Sequence, residues 1–275
     1  MQKTISPPIY DSAARRHPAV DELIQVWRYR DLILQLIRRD VTARYKRSVL
    51  GIAWTMLNPL GMMIVLSIVF SQFFDTVEGY AAYVLSGLII WNFFAQATSS
   101  AIDSLVWGGD LFRRIYLPRS VFAISAIGTG LVNLTIALVP LFAVMLVMGI
   151  SIRPTVLLAP LAMLPVACFA LGIGLLISTI GIYFPDIVEM YSIVLMAWMY
   201  LTPIIYPIDL VPENIRAFLA FNPMLYLVDF FRMPLYYGQF PTLKYWLAGF
   251  LVSVITLAIG WFVFTRKSDE FAYRV

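Results

Sequence analysis

Val156 to Tyr183 reads VLLAPLAMLPVACFALGIGLLISTIGIY, with Pro160 and Pro165 inside it and no charged side chain anywhere. A helix that spans a bilayer needs roughly 20 predominantly apolar residues, and this stretch has more. Five further runs of the same kind flank it: 50–74, interrupted by Asn58 and Pro59; 80–102; 121–150; 187–206, with Glu189 near its start; and 245–265. The composition agrees. Of 275 residues 61% are hydrophobic and only 13% charged, with a mean hydropathy of +0.82, whereas a soluble domain carries ~25% charged residues. The sequence therefore predicts an all-α integral membrane protein with six transmembrane helices. A cytoplasmic N-terminal tail (1–49) precedes the membrane domain (50–265), and a short cytoplasmic C-terminal tail (266–275) follows it.

Charge sets the orientation. Lys and Arg are enriched on the cytoplasmic side of membrane proteins. One side of the predicted topology holds sixteen of them: ten before the first span, Arg113, Arg114 and Arg119 after the second, and three in the C-terminal tail. The opposite side holds four: Arg153, Arg216, Arg232 and Lys244. Both termini are thus expected in the cytoplasm, which an even number of spans requires. Met1 to Arg16 contain no apolar core of the kind a signal peptide has, so no cleavable signal is expected.

Two segments are more than loops. In Asp21 to Arg39, Leu23, Val26, Trp27, Ile33, Leu34 and Ile37 alternate at helical spacing with Arg28, Arg30 and Arg38. That pattern suits an amphipathic helix lying in the headgroup region of anionic lipid; packing on a soluble partner is the other reading. The stretch 207–244 is cut by Pro212, Pro223, Pro234 and Pro241 into apolar pieces of two or three turns. Such pieces are too short to cross a bilayer. They form either a re-entrant pair of helices or a small external cap.

Several chemistries are excluded. One cysteine, Cys168, and one histidine, His17, cannot build a Cys/His metal cluster or a histidine-based triad. Neither a catalytic residue nor a metal site is therefore expected. The dipeptide Gly-Lys does not occur, so no phosphate-binding loop of the GxxxxGK[ST] type exists for ATP. The spans hold too few ionisable groups for a proton relay. Energy for transport would have to come from another subunit. The segment 108–118 is the best candidate contact for it: Gly108-Gly109 breaks the chain, Asp110 can cap the next turn, and Pro118 resets the backbone. Leu111, Phe112, Ile115 and Tyr116 offer an apolar knob beside Arg113 and Arg114, a composition typical of binding hot spots. An interfacial helix that merely obeys the positive-inside rule has the same composition.

Candidates for a translocation path are Trp54, Asn58, Trp91, Tyr200 and Tyr206. Asn58-Pro59 predicts a kinked first span with a polar side chain facing protein or water. The aromatic residues are either interfacial belt residues or stacking platforms for sugar rings.

Taken together, Leu36 to Val41, Arg44-Tyr45-Lys46, Ser48 to Gly51, Trp54 to Pro59, Gly87 to Phe94, Arg114 to Arg119 and Tyr183 to Ile187 resemble the membrane-spanning permeases of type-2 ABC exporters. The Pro203 and Asn222-Pro223 neighbourhoods extend the likeness, which covers about 21–264. Within that family it resembles the branch that exports O-antigen, capsule and teichoic acid. It departs at Pro185, where members commonly have arginine. The resemblance implies a homodimer in the bacterial cytoplasmic (inner) membrane with two copies of a separate ABC ATPase, which binds ATP and Mg; this chain would carry no cofactor. It implies that Asp110 to Leu117 is the coupling helix, that 207–244 re-enters the membrane, and that the substrate is a glycan on undecaprenyl diphosphate. Arg38, Arg39, Arg44, Lys46 and Arg47 would attract that diphosphate at the entrance, or serve only as stop-transfer charges. The net charge of +4 is accounted for by membrane orientation and needs no nucleic acid. A drug or lipid exporter of the same type is an alternative, as is a membrane enzyme acting on lipid-linked sugars.

Overall fold

In a computed structural model, residues 18–46, 51, 53–107 and 117–271 are described, and all regular elements among them are helical. They are α1 (Pro18–Arg28), α2 (Arg30–Tyr45), α3 (Ala53–Phe70), α4 (Tyr80–Val106), α5 (Ser120–Val147), α6 (Ala159–Tyr183), α7 (Asp186–Tyr200), α8 (Glu213–Leu219), α9 (Pro223–Leu235) and α10 (Leu243–Phe271), with 3-10 turns at Pro154–Leu158 and Ile208–Leu210. Five segments among the described residues are long and apolar enough to cross a membrane: Ala53–Phe70, Tyr80–Val106, Ser120–Val147, Pro154–Tyr183 and Leu243–Ser268. Helix α4 is the central post. Most of its residues are buried, and it packs on α3, α5, α6 and α9.

The fifth expected span, 187–206, ends early. Helix α7 stops at Tyr200, so its 15 residues reach only about 22 Å of a ~30 Å hydrocarbon layer. From Tyr200 to Tyr206 the backbone is irregular, with Pro203 and Pro207 barring a helix. Each of its carbonyls nevertheless accepts a hydrogen bond. The Tyr206 hydroxyl donates to Tyr200 O (3.0 Å), the Asn222 amide to Leu201 O (3.1 Å), and the Ile204 N–H to Thr202 O (2.7 Å). Arg232 donates to Pro203 O (2.7 Å) and Ile204 O (2.8 Å), Tyr80 to Ile205 O (2.8 Å) and Tyr83 to Tyr206 O (3.1 Å). Arg232 was expected as an external loop charge. It is instead 1% exposed, with its guanidinium 3.8 Å from the centre of the Tyr83 ring. Removing it from the loop tally sharpens the charge asymmetry.

Within 207–244, most of 212–218 is exposed, whereas the following helix packs inward. Helix α9 begins with Asn222 capping Met224 N (3.0 Å) and Pro223 in the first turn, and buries Leu227, Val228, Phe230 and Phe231 against α4, α6 and α10. The N-terminal amphipathic segment also differs from the single helix expected over Asp21 to Arg39. The chain breaks at Tyr29 (φ −95°, ψ 17°). Beyond the break, Ile33 and Leu36 of α2 bury against Val121 and Phe122 of α5, while Val20, Leu23, Ile24 and Trp27 of α1 stay exposed. Val26 of α1 packs against the same cluster, and Leu34 of α2 is exposed as well.

Helices α6 and α10 touch backbone to backbone. A Cβ built on Gly172 would lie 2.6 Å from the Thr256 carbonyl, and one on Gly260 would strike Gly172. Small residues permit such close approach, which drives helix association where water supplies no hydrophobic force.

Arg232→Met should lower stability by about 3–5 kcal/mol because it strands buried carbonyls, against about 1 kcal/mol for Tyr80→Phe. Thermal unfolding of the purified protein in lipid nanodiscs reads the difference, and equal small losses would refute the network's role. By the same assay Gly172→Leu should cost at least about 1–3 kcal/mol by overpacking. Gly249→Ala should be neutral within about 0.5 kcal/mol, since the added Cβ meets only Leu227 at 3.7 Å.

Candidate functional site

At one end of the bundle α2 lies across α5, and a groove opens between α2, α3, α4 and α5. Its volume is about 660 Å³, and its lining includes Arg44, Trp54, Asn58, Asn92, Gln96 and Asn133. A second hollow of about 240 Å³ shares Arg44, Gln96, Gly130 and Asn133 with the first, and adds Arg39, Asp40, Ser100, Ser104, Ser125 and Thr129. The two make one continuous polar track.

Helical spacing explains the track. On α4, Asn92, Gln96, Ser100 and Ser104 recur every four residues; on α5, Ser125, Thr129 and Asn133 do the same. Residues four apart share a helix face, so each helix turns one polar stripe toward the other. Gly130 brings the helices together at the groove floor, where an added Cβ would sit 3.0 Å from both Ala97 and the Phe93 ring. Ser104 and Ser125 donate back to the Ala101 and Phe122 carbonyls (both 2.8 Å), which satisfies a hydroxyl within its own helix. By contrast Thr129 Oγ1 is buried with no partner, and the side chains of Asn58, Asn92 and Gln96 make no hydrogen bond among the described residues. Uncommitted amides and hydroxyls in a concave space suit water or a polar ligand. At the mouth Arg39 pairs with Asp40 (2.8 Å, well exposed), leaving Arg44 as the neighbouring exposed cation.

The structure thus brings together four residues that the sequence singled out separately: Arg39, Arg44, Trp54 and Asn58. Arg38 and Lys46 are exposed on α2 but do not line the groove. Trp91 is 3% exposed, packed edge-on to Trp198 (6.1 Å) in a cluster with Phe94 and Phe169, and offers no face to a path in this chain. Tyr200 and Tyr206 sit at the far end, in the carbonyl-capping segment. Arg47 and the segment expected to couple to an ATPase, Asp110, Leu111, Phe112, Arg113, Arg114, Ile115 and Tyr116, lie outside the described residues.

The C-terminal flank of that segment is described, and it is clasped. Glu22 of α1 accepts from the Ser120 hydroxyl (2.5 Å) and backbone N–H (3.4 Å). The Arg119 guanidinium lies 5.4 Å from the centre of the Phe271 ring of α10. Burial pushes the Arg119 pKa down and the nearby Glu22 carboxylate opposes that shift. Trp261 of α10 donates to Ala19 O (3.0 Å), so α1, the start of α5 and the end of α10 are held together.

The groove residues missed by sequence reasoning are Asn92, Gln96, Ser100, Ser104, Ser125, Thr129 and Asn133. Their four-residue period inside apolar runs was the available signal.

Residues 31–236 match the family described as ABC-2 type transporter. The chain is similar to the O-antigen export system permease protein RfbA of Myxococcus xanthus, 29% identical over 255 residues, or 90% of this chain and 96% of that protein. It is also similar to RfbA of Klebsiella pneumoniae, 25% identical over 83% of this chain and 90% of that protein. The polysialic acid transport protein KpsM of Escherichia coli is 22% identical over 85% of this chain and 92% of that protein.

A hydrated groove has a direct signature in a Cys168→Ser background. Gln96→Cys and Ser100→Cys should react with a membrane-impermeant maleimide, whereas Val139→Cys, 60% exposed on the outer surface of α5, should be slower by roughly tenfold or more because thiolate formation requires water. Equal rates at all three positions would show that the groove is dry.

Proposed function

This chain belongs to the ABC-2 type transporter family, and we propose that it is the membrane subunit of an ATP-driven exporter that carries a lipid-linked polysaccharide outward across the bacterial inner membrane. The observation that carries the reading is likeness over nearly the whole length to permeases named for O-antigen export, joined to a polar groove with guanidinium groups at its mouth. In this reading the end bearing α1, α2 and the tip of α10 faces the cytoplasm, in accord with its concentration of Lys and Arg. Arg39 and Arg44 receive the diphosphate of an undecaprenyl-linked glycan through charge-assisted hydrogen bonds. The amides and hydroxyls of the track replace water around the first sugars. Asn58 stands exposed on α3, where a polar side chain facing hydrocarbon is costly; a hydrated path between two copies of the chain removes that cost.

The power stroke belongs to a separate ATPase, which holds ATP and Mg, with two copies serving a homodimer of this chain. Segment 108–118 receives the stroke. Ser120 and Arg119 follow it directly, so displacement of the segment acts on α1 through Glu22 and on α10 through Phe271. The entrance and the stroke are thereby joined by short contacts.

A gentle pull-down in detergent should recover an ABC ATPase in equal stoichiometry, and the double change Phe112→Ala and Arg113→Ala should lose it. A strain lacking the chain should accumulate lipid-linked glycan internally and lose it from the surface. Arg39→Ala with Arg44→Ala should keep the ATPase but slow export by about tenfold or more, as expected for two charge-assisted contacts. Recovery of a folded chain with no ATPase, or normal surface glycan in the deletion strain, would overturn the assignment.

A further inference from the structure

At the end of the bundle opposite the groove, four separate stretches of backbone (76–78, 149–153, 207–210 and 236–239) enclose a hollow of about 560 Å³. That size falls within the ~300–1,000 Å³ of small-molecule sites. Its lining joins both signs of charge to aromatic rings. Glu78, Arg153, Asp209 and Gln239 converge on it beside the rings of Tyr236 and Tyr237.

The walls are fixed. The Tyr236 hydroxyl donates to the Glu78 carbonyl, and Thr155 donates to Pro234 O (2.8 Å). Arg216 holds the 207–210 stretch through Asp209 O (2.9 Å) and Val211 O (3.1 Å). Gly238 adopts φ +61°, and any Cβ there would run into the Arg153 stem, so a glycine is required for Arg153 to lie where it does. The Tyr236 ring meets Tyr237 edge-on at 4.8 Å. The polar ends, by contrast, are uncommitted. The carboxylates of Glu78 and Asp209, the Arg153 guanidinium, the Gln239 amide and the Tyr237 hydroxyl form no side-chain hydrogen bond or ion pair among the described residues. A rigid frame with spare donors and acceptors is what a binding site needs before its ligand arrives.

We infer that this hollow is a binding site for an uncharged hexopyranose. Carboxylates accept from pairs of adjacent hydroxyls, while Arg153 and Gln239 donate to ring and hydroxyl oxygens. The Tyr237 ring, with the residue 45% exposed, offers an apolar face to the C–H side of the sugar. Two carboxylates against one guanidinium disfavour a uronate or a phosphate. The inference rests on the proposed function only for the source of the sugar: a glycan delivered to this end would meet the site as it emerges, which would hold the chain against sliding back.

Saturation-transfer NMR on the full chain in lipid nanodiscs tests it, with methyl glucopyranoside, mannopyranoside and galactopyranoside as neutral probes and methyl glucuronoside as the anionic one. At least one neutral probe should show transfer, and the glucuronoside should show less. Asp209→Asn, which keeps shape, and Tyr237→Ala should each weaken binding about tenfold, the loss that accompanies one charge-assisted bond or stacking face. Gln96→Leu, in the distant groove, should leave it unchanged. No transfer to any neutral probe, stronger transfer to the glucuronoside, or binding that survives Asp209→Asn would overturn the site. Were Tyr237→Ala to misfold, Asp209→Asn alone decides. Surface glycan in cells is scored separately: intact export without sugar binding refutes the pocket alone, and sugar binding without export refutes the exporter reading alone.

Discussion

A backbone carbonyl buried in hydrocarbon without a partner costs several kcal/mol, and this chain leaves its fifth apolar run as irregular backbone from Tyr200 to Tyr206. Everything at that end of the molecule is arranged around the cost. Donors come from α4 (Tyr80, Tyr83), from α9 (Arg232) and from its N-cap (Asn222), so one stretch without helical hydrogen bonds ties three elements together. Arg232 is held by the same arrangement. Its Nε meets Ser86 Oγ (3.2 Å), its remaining donors go to carbonyls, and the Tyr83 ring covers its face. A buried cation is tolerable when each of its nitrogens is hydrogen-bonded, and the carbonyls are tolerable because the cation is there.

The arrangement explains why α9 folds inward. Helix α9 is too short to span, yet it must lie deep enough to deliver Arg232 to the end of α7. Its burial against α4, α6 and α10 then shapes the polar hollow above it, since Tyr236 and Gly238 follow directly from the end of α9. A requirement imposed by the hydrogen-bond chemistry of buried carbonyls thus sets the architecture of that end of the molecule.

Long apolar helices were legible because length and apolarity alone decide them: the runs 80–102, 121–150, 156–183 and 245–265 each contain or closely match an observed helix. What failed to show was anything set by contacts distant in sequence. Arg232 read as a loop charge because its carbonyl partners lie 28 and 29 positions away. The end of α7 was invisible because Ile204, Ile205 and Tyr206 are as apolar as a true span. The break at Tyr29 was hidden by a pattern that each half of the segment satisfies separately. In the groove, Arg44, Trp54 and Asn58 stood out as individual residues, whereas Gln96, Thr129 and Asn133 were averaged away within hydropathy windows. Only their four-residue period, compared between α4 and α5, carries the information that they face each other.

The clasp at the other end bears on how the protein is made. Trp261 donates to the carbonyl of Ala19, 242 positions earlier, so the clasp that Glu22 begins with Ser120 closes only once α10 has been synthesised. At ~5–20 residues per second the first helix waits roughly 10–50 s for its partner. Leu23, Ile24 and Trp27 stay exposed even when α1 is docked. Closure of the clasp therefore requires α10, and chains truncated before it would lack the joined face.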